Sequence, residues 1–153
     1  MATKVITGYP QMPPLSTQEL DAFLKQPLIA RLGTMNEDGT IHLAPIFFRY
    51  ENGEIILGTQ QVSRRVRNIQ RNPNVTLLID DTTGPFKAAL IYGKATLEYD
   101  NVVEKRTTIF EKYGPAEQAP KKAEGLCNKW PSVVIRIKPD QIITFDYSKA
   151  SLL

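Results

Sequence analysis

The chain has 153 residues, 42% of them hydrophobic and 23% charged, which fits one soluble globular domain and excludes disordered and fibrous classes. Its 19 basic and 16 acidic residues leave a formal charge of +3, a surplus that demands no polyanionic partner unless the cations cluster. The single cysteine, Cys127, leaves no second thiol for a disulfide or a thiolate metal site, and no long apolar run or signal-like start is present; the expected location is cytoplasmic.

Residues 1–15, with Pro10, Pro13 and Pro14, read as an extended arm ahead of a single domain over 16–153. Ser16 and Glu19 form a capping box that opens a helix to about Gln26, with Leu20, Phe23 and Leu24 on one face. Strands follow at 27–35, 41–50 and 54–59, joined by the turn pairs Asp38-Gly39 and Asn52-Gly53. The next segment, "GTQQVSRRVRNIQRNPNV", carries four arginines, and Val62, Val66 and Ile69 give it helical period until Asn72-Pro73 ends it. Strands are expected at 74–80 and 87–99, the second with a bulge at Gly93. A helix is expected over 101–113, then loop with a short helix to 131. Two closing strands, 132–138 and 141–147, read as a hairpin through Pro139-Asp140. About seven strands in antiparallel series, with helices inserted between hairpins, predict a mainly β fold, an antiparallel barrel with helical additions. Turns this short cannot make the crossovers of a parallel sheet.

The arginine helix poses the functional question. Arg64 and Arg65 fall in its first turn, where the dipole and unsatisfied N–H groups already present positive charge. Cations there are unfavourable unless an anion is bound, and then N–H groups, guanidinium forks and dipole act together. Thr59 and Ser63 add hydroxyls nearby. Phosphate binding and a solvated basic face capped by Ser63 both account for Arg64 and Arg65 at this point. Arg67 and Arg71, opposite the apolar stripe, read as solvated. Pro45 cannot donate to a sheet ladder, so mid-strand it marks an edge or bulge.

The order "ARLGTM…DGTIHLAPIFFRY…NGEIILGT…SRRVRNIQRNPNVTLLIDD…YGKATL" resembles the pyridoxamine phosphate oxidase-like family of flavin-binding split β-barrels, over about residues 17–98. The resemblance implies a homodimer holding FMN, or in a related branch a deazaflavin coenzyme, in a cleft between subunits. It implies that Ser63, Arg64 and Arg65 grip the cofactor phosphate, with Arg65 where many relatives have lysine. It further implies that Thr59 ends the preceding strand beside them, that the strand at Ala44, Pro45 and Ile46 lies along the isoalloxazine ring, and that Lys87 supplies a polar contact. Ala88 stands where a glutamine often contacts the cofactor. The closing "ITFDYSKASLL" lacks the substrate-binding segment of members that oxidise pyridoxamine phosphate, so that activity is not expected here.

Other chemistry is sparse. His42 is the only histidine, with no metal-ligand spacing around it; Cys127 has no activating context; Asp80-Asp81 reads as turn capping. No protein nucleophile is assigned, which still permits redox catalysis because a cofactor carries it. The expectation is a flavin- or deazaflavin-dependent oxidoreductase acting on a small molecule. The alternatives are a flavin- or haem-binding protein of the same fold without turnover and, least favoured because Phe47, Phe48 and Tyr50 sit in apolar runs, a nucleic-acid-binding barrel.

Overall fold

The computed structural model describes residues 2–150. Met1 and residues 151–153, the last of the closing segment "ITFDYSKASLL", lie outside the described residues. Eight strands occur among them: β1 (Lys4–Thr7), β2 (Ala30–Met35), β3 (Ile41–Ile46), β4 (Phe48–Glu51), β5 (Glu54–Gln60), β6 (Asn74–Asp81), β7 (Lys87–Glu98) and β8 (Ser132–Asp146). The helices are α1 (Thr17–Leu24), α2 (Arg64–Arg71), α3 (Val102–Phe110) and α4 (Ala119–Lys129).

The strands pair in the order β3-β2-β6-β7-β8-β5-β4, all antiparallel, and β1 adds to β8 in parallel. Only Phe47 separates β3 from β4, so one bent segment belongs to both ends of the path and closes it into a barrel. Closure is incomplete. The β4–β5 ladder stops at Phe48 opposite Leu57. Beyond it Gly58, Thr59 and Gln60 pair with β8 alone, and β3 pairs with β2 alone. This gap between β3 and the end of β5 is the split of a split β-barrel.

The interior follows from alternation along the strands. Leu32, Ile55, Leu57, Leu77, Ile79, Ile91, Ile135 and Ile137 point inward and are buried, and α1 stoppers one end with Leu20, Phe23 and Leu24. Each such side chain contributes roughly 1.5–3 kcal/mol by leaving water. The start of α1 is the expected capping box: Glu19 N–H donates to Ser16 Oγ at 3.1 Å and Ser16 N–H to Glu19 Oε1 at 2.9 Å. Asn52 and Gly53 both take positive φ, 51° and 75°, the backbone that a two-residue hairpin with the strands' twist requires. On the outside, α3 covers β5 and β8 through Ile109 against Ile56 and Val134.

Four expectations need correction. The hairpin at Pro139-Asp140 does not form, because β8 runs unbroken from 132 to 146 against β7. Tyr92 pairs with Gln141 and Gly93 with Pro139, so Asp140 is the extra residue of a bulge. The inward residues accordingly switch from odd (Ile135, Ile137) to even (Ile142, Thr144) across it. A bulge keeps twelve residues of β7 paired; a turn would have stripped half of that ladder. The bulge expected at Gly93 is thus on the partner strand, and Gly93 is the residue that lets it approach. Second, the N-terminal arm contains β1, whose Lys4–Thr7 pair with Gln141–Thr144. Third, Val62 is not part of the helical stripe; it precedes α2 and is 74% exposed, while Val66 and Ile69 are buried. Fourth, Arg71 is not simply solvated, since it donates to Met35 O at 2.7 Å and to Asn68 Oδ1 at 3.1 Å.

Candidate functional site

Two helices begin with serine in the same extended backbone conformation, Ser16 at φ −67°, ψ 166° and Ser63 at φ −67°, ψ 152°. The first is closed by its own capping box. The second is open: the Ser63 side chain makes no cap hydrogen bond and lies 3.4 Å from Thr59 Oγ1. Val66 and Arg67 donate their N–H groups to Ser63 O at 3.2 and 3.3 Å, which leaves the Arg64 and Arg65 N–H groups without an intrahelical acceptor.

The first turn of α2 contains no acidic residue. Neither Arg64 nor Arg65 forms an ion pair among the described residues. Arg64 is exposed and Arg65 half-buried. Burial alone pushes the Arg65 guanidinium below its ordinary value, so its charge is partly desolvated with nothing opposite it. A charge in that state is unfavourable by itself and becomes favourable with an anion. The nearest carboxylate influence is weak: Asp38 is held below its usual range first by Thr40, and only last by Arg64. Helix α2 is held in place by Asn68, buried, whose amide donates to Thr34 Oγ1 at 3.0 Å and Asn36 Oδ1 at 2.9 Å. Val66 and Ile69 seal the face beneath it.

The structure therefore brings Thr59, Ser63, Arg64 and Arg65 together at one lip of the split. Ala44, Pro45 and Ile46 line the other, on the free edge of β3, with Pro45 paired to Arg31 and Ile46 turned into the core. Lys87 is elsewhere. It sits at the start of β7, 3.9 Å from the buried carboxylate of Asp146, whereas the end of α2 meets β7 at Ala95, whose N–H donates to Pro73 O at 2.8 Å. Eight residues of strand separate them, roughly 26 Å at about 3.3 Å per residue. Lys87 therefore lies far from the end of α2.

The cluster fits a phosphate: among the described residues, two cations without an ion-pair partner and two N–H groups without an intrahelical acceptor lie beside the Ser63 hydroxyl, whose only partner is Thr59 Oγ1. The residues of the β3 edge fit an extended planar ring only in offering unpaired backbone beside it. A cavity of about 510 Å³ lies on the outer face of β3-β2-β6-β7 and does not include the arginines of the helix start. It is lined by Ile41, Leu43, Leu78 and Tyr92 among others, and Ile41 and Leu43 are 56% and 65% exposed. On a single chain, then, the anion cluster is open and this apolar face is exposed.

Residues that sequence reasoning missed frame the split. Tyr113 stacks on Phe47 with ring centres 4.2 Å apart, and Arg106 lies across Gly58, where a Cβ would come within 2.6 Å of its Nε. The spacing of residues 101–113 signalled the helix; nothing in it showed which strand break the helix would serve. The remaining polar candidates behave structurally. Asp81 accepts from Thr83 N–H and Oγ1 at 2.9 and 2.7 Å, the expected turn capping, while Asp80 pairs with Arg31 at 2.5 Å. His42 lies on β3 opposite Thr34. No helix among the described residues is long and apolar enough to cross a membrane.

The fold is shared with known proteins. No curated protein matches the sequence. Among solved structures, the protein Rv2991 from Mycobacterium tuberculosis superposes with a TM-score of 0.79 at 24% identity, covering 92% of this chain and 90% of its own. An F420 reductase gives 0.64 at 20% identity, covering 80% and 94%. The haem storage protein HutZ from Vibrio cholerae gives 0.66 at 16%, covering 88% and 96%. At such identities these are likenesses of fold. The family model for pyridoxamine 5'-phosphate oxidase matches residues 16–146, nearly the whole barrel with its open helix start, and the chain belongs to that family.

Proposed function

We propose that the protein is an FMN-binding oxidoreductase acting on a small molecule, and that it works as a homodimer. The observation that carries this reading is the contrast between the two serine-led helices: α1 is capped by its own residues and α2 is left uncapped beneath two unpaired arginines. Ser63, Arg64 and Arg65, with Thr59 alongside, would hold the terminal phosphate, and the free edge at Ala44, Pro45 and Ile46 would orient the ring. FMN fits better than a deazaflavin coenzyme joined through a phosphodiester, because a phosphomonoester carries nearly two negative charges at neutral pH and this cluster offers two cations. The likeness to an F420 reductase keeps the deazaflavin as the second reading.

Bound there, the flavin would supply the redox chemistry. The chain supplies anchoring, orientation and the exclusion of water; none of its side chains is assigned a proton transfer. The exposed apolar face beside the split supports the dimer, since a patch centred on Ile41, Leu43, Leu78 and Tyr92 is unusual on a monomer. A partner seated on it would cover β3 and wall the cleft, and would be the source of any contact from Lys87.

Titration of the protein into FMN, followed by quenching of flavin fluorescence, tests the reading. Saturable binding at one site per chain is expected, with no pyridoxal phosphate formed in a turnover assay. Absence of FMN binding together with saturable binding of the deazaflavin would move the assignment to the second reading.

A further inference from the structure

The end of α4 and the start of α2 meet at one end of the barrel, where β5 finishes beside the first residues of β8. Gln61 N–H donates to Pro131 O at 2.9 Å and Gln61 Nε2 to Ser132 O at 3.1 Å. These bonds set Val62 and Trp130 on neighbouring stretches of chain. Val62 is 74% exposed and Trp130 38%. At that exposure Val62 is a protruding side chain, not the floor of a groove. Neither residue lines the sheet face where the second subunit is placed.

The surroundings are cationic. Lys129 Nζ stands over the Trp130 ring, 4.6 Å from its centre. Arg64 and Arg67, three residues apart and so on one side of α2, are exposed. None of these three cations forms an ion pair among the described residues, and residues 55–79 contain no acidic side chain. Glu124, five positions before Lys129, lies on another side of α4.

Two apolar side chains are too few for a specific protein interface, which buries about 800 Å² on each partner. A lipid surface needs no matching shape, and each cation near an anionic one adds attraction. Tryptophan suits that boundary, because its ring is apolar and its indole N–H is polar.

We propose that this end of the barrel docks on an anionic lipid bilayer. Trp130 and Val62 enter the headgroup region, and Arg64, Arg67 and Lys129 meet the lipid phosphates. The association is reversible, since little apolar surface is buried and salt screens the attraction. It does not depend on a flavin in the split, because Arg67 and Lys129 stand outside the cluster assigned to the flavin phosphate.

Trp130 is the single tryptophan of the chain, so its fluorescence reports this patch alone. The protein is titrated at low salt with phosphatidylcholine vesicles, with and without phosphatidylglycerol. The expected result is a blue shift of the emission and co-sedimentation with the anionic vesicles only, both reversed by high salt. Arg67→Gln combined with Lys129→Gln should weaken partitioning about ten- to thirtyfold, the effect of two cations at an anionic surface. Val62→Ser should weaken it several-fold. Thermal melts show that the variants are folded, and FMN affinity should not change in the double variant. No blue shift on anionic vesicles, or equal partitioning to both kinds, overturns the proposal. Partitioning that survives the double substitution in folded protein overturns it too. Binding to heparin or single-stranded RNA without binding to vesicles would overturn it in favour of a polyanion in solution.

Discussion

The hydroxyl of Tyr113 accepts a hydrogen bond from the Phe48 N–H at 3.2 Å. It donates to Leu28 O at 2.6 Å, with Phe48 O second in reach at 3.2 Å. Phe48 is where the bent segment leaves β2 and joins β5, so a side chain 65 residues away along the chain serves the backbone at the break that a regular ladder would have served. Burial pushes the Tyr113 phenol up to about 12, with the bond from Phe48 acting against it; the hydroxyl keeps its proton throughout the physiological range.

Tyr113→Phe is expected to destabilise the fold by about 1–3 kcal/mol, the range for leaving buried donors and acceptors unpaired. The ring still stacks on Phe47, so the loss isolates the hydroxyl. Chemical denaturation measures it. A loss below a few tenths of a kcal/mol would mean that water replaces the hydroxyl at the break.

Arg65→Ala is expected to weaken FMN binding by about ten- to a hundredfold, since a charge-assisted contact to an anion contributes roughly 1.5–3 kcal/mol. The same change should leave the cofactor-free protein as stable or slightly more so, because a partly desolvated cation leaves the positive end of a helix. Arg67→Ala, exposed on the same helix, is the control for both quantities. Arg71→Ala is not, since it removes the bonds to Met35 O and Asn68 Oδ1; it should lower stability by about 0.5–1.5 kcal/mol with FMN affinity unchanged. Binding isotherms and thermal melts on the three variants separate these outcomes.

Gly93→Ala is expected to cost about 1–3 kcal/mol. A Cβ there would stand 2.5 Å from Lys138 O, backbone of the bulged strand, and 3.0 Å from Ile137 Cγ2. Gly84→Ala, with no atom within 4 Å of the added carbon, should change stability far less. Equal melts for the two variants would mean that the bulge in β8 yields easily.

Glu98 supplies a pH dependence. Its carboxylate meets Arg136 Nε at 2.8 Å and Lys105 Nζ at 3.0 Å, and the hydrogen bond from Arg136 leads in holding it below its ordinary value of 4.5. A folded value below the unfolded one means that this contribution is complete above about 4.5 and is lost as pH falls through the folded value. Glu98→Gln should lower stability at neutral pH and flatten its decline below pH 4.5. Parallel acid-unfolding curves for the two proteins would remove Glu98 from the acid response.

Residues close in sequence carried much of the fold by themselves. The capping box of α1, the positive-φ pair Asn52-Gly53, the alternation of the strands and the Ser-Arg-Arg helix start are local patterns, and local sterics and hydrogen bonding suffice to determine them. The antiparallel barrel was legible from the short hairpin turns. What the tertiary structure decided concerns segments whose partners are distant. Pro139-Asp140 has the composition of a turn, yet β7 offers it a continuous ladder on both sides, and the pairing energy of that ladder selects a bulge. The chain 41–51 reads as one strand, yet closing the barrel bends it at Phe47, and Tyr113 must arrive from α3 to satisfy the break. Arg65 and Arg71 are the same residue type on one helix. Burial without a partner makes the first available to an anion, and two carbonyl acceptors engage the second. That difference depends on where β2 lies, which no local pattern encodes.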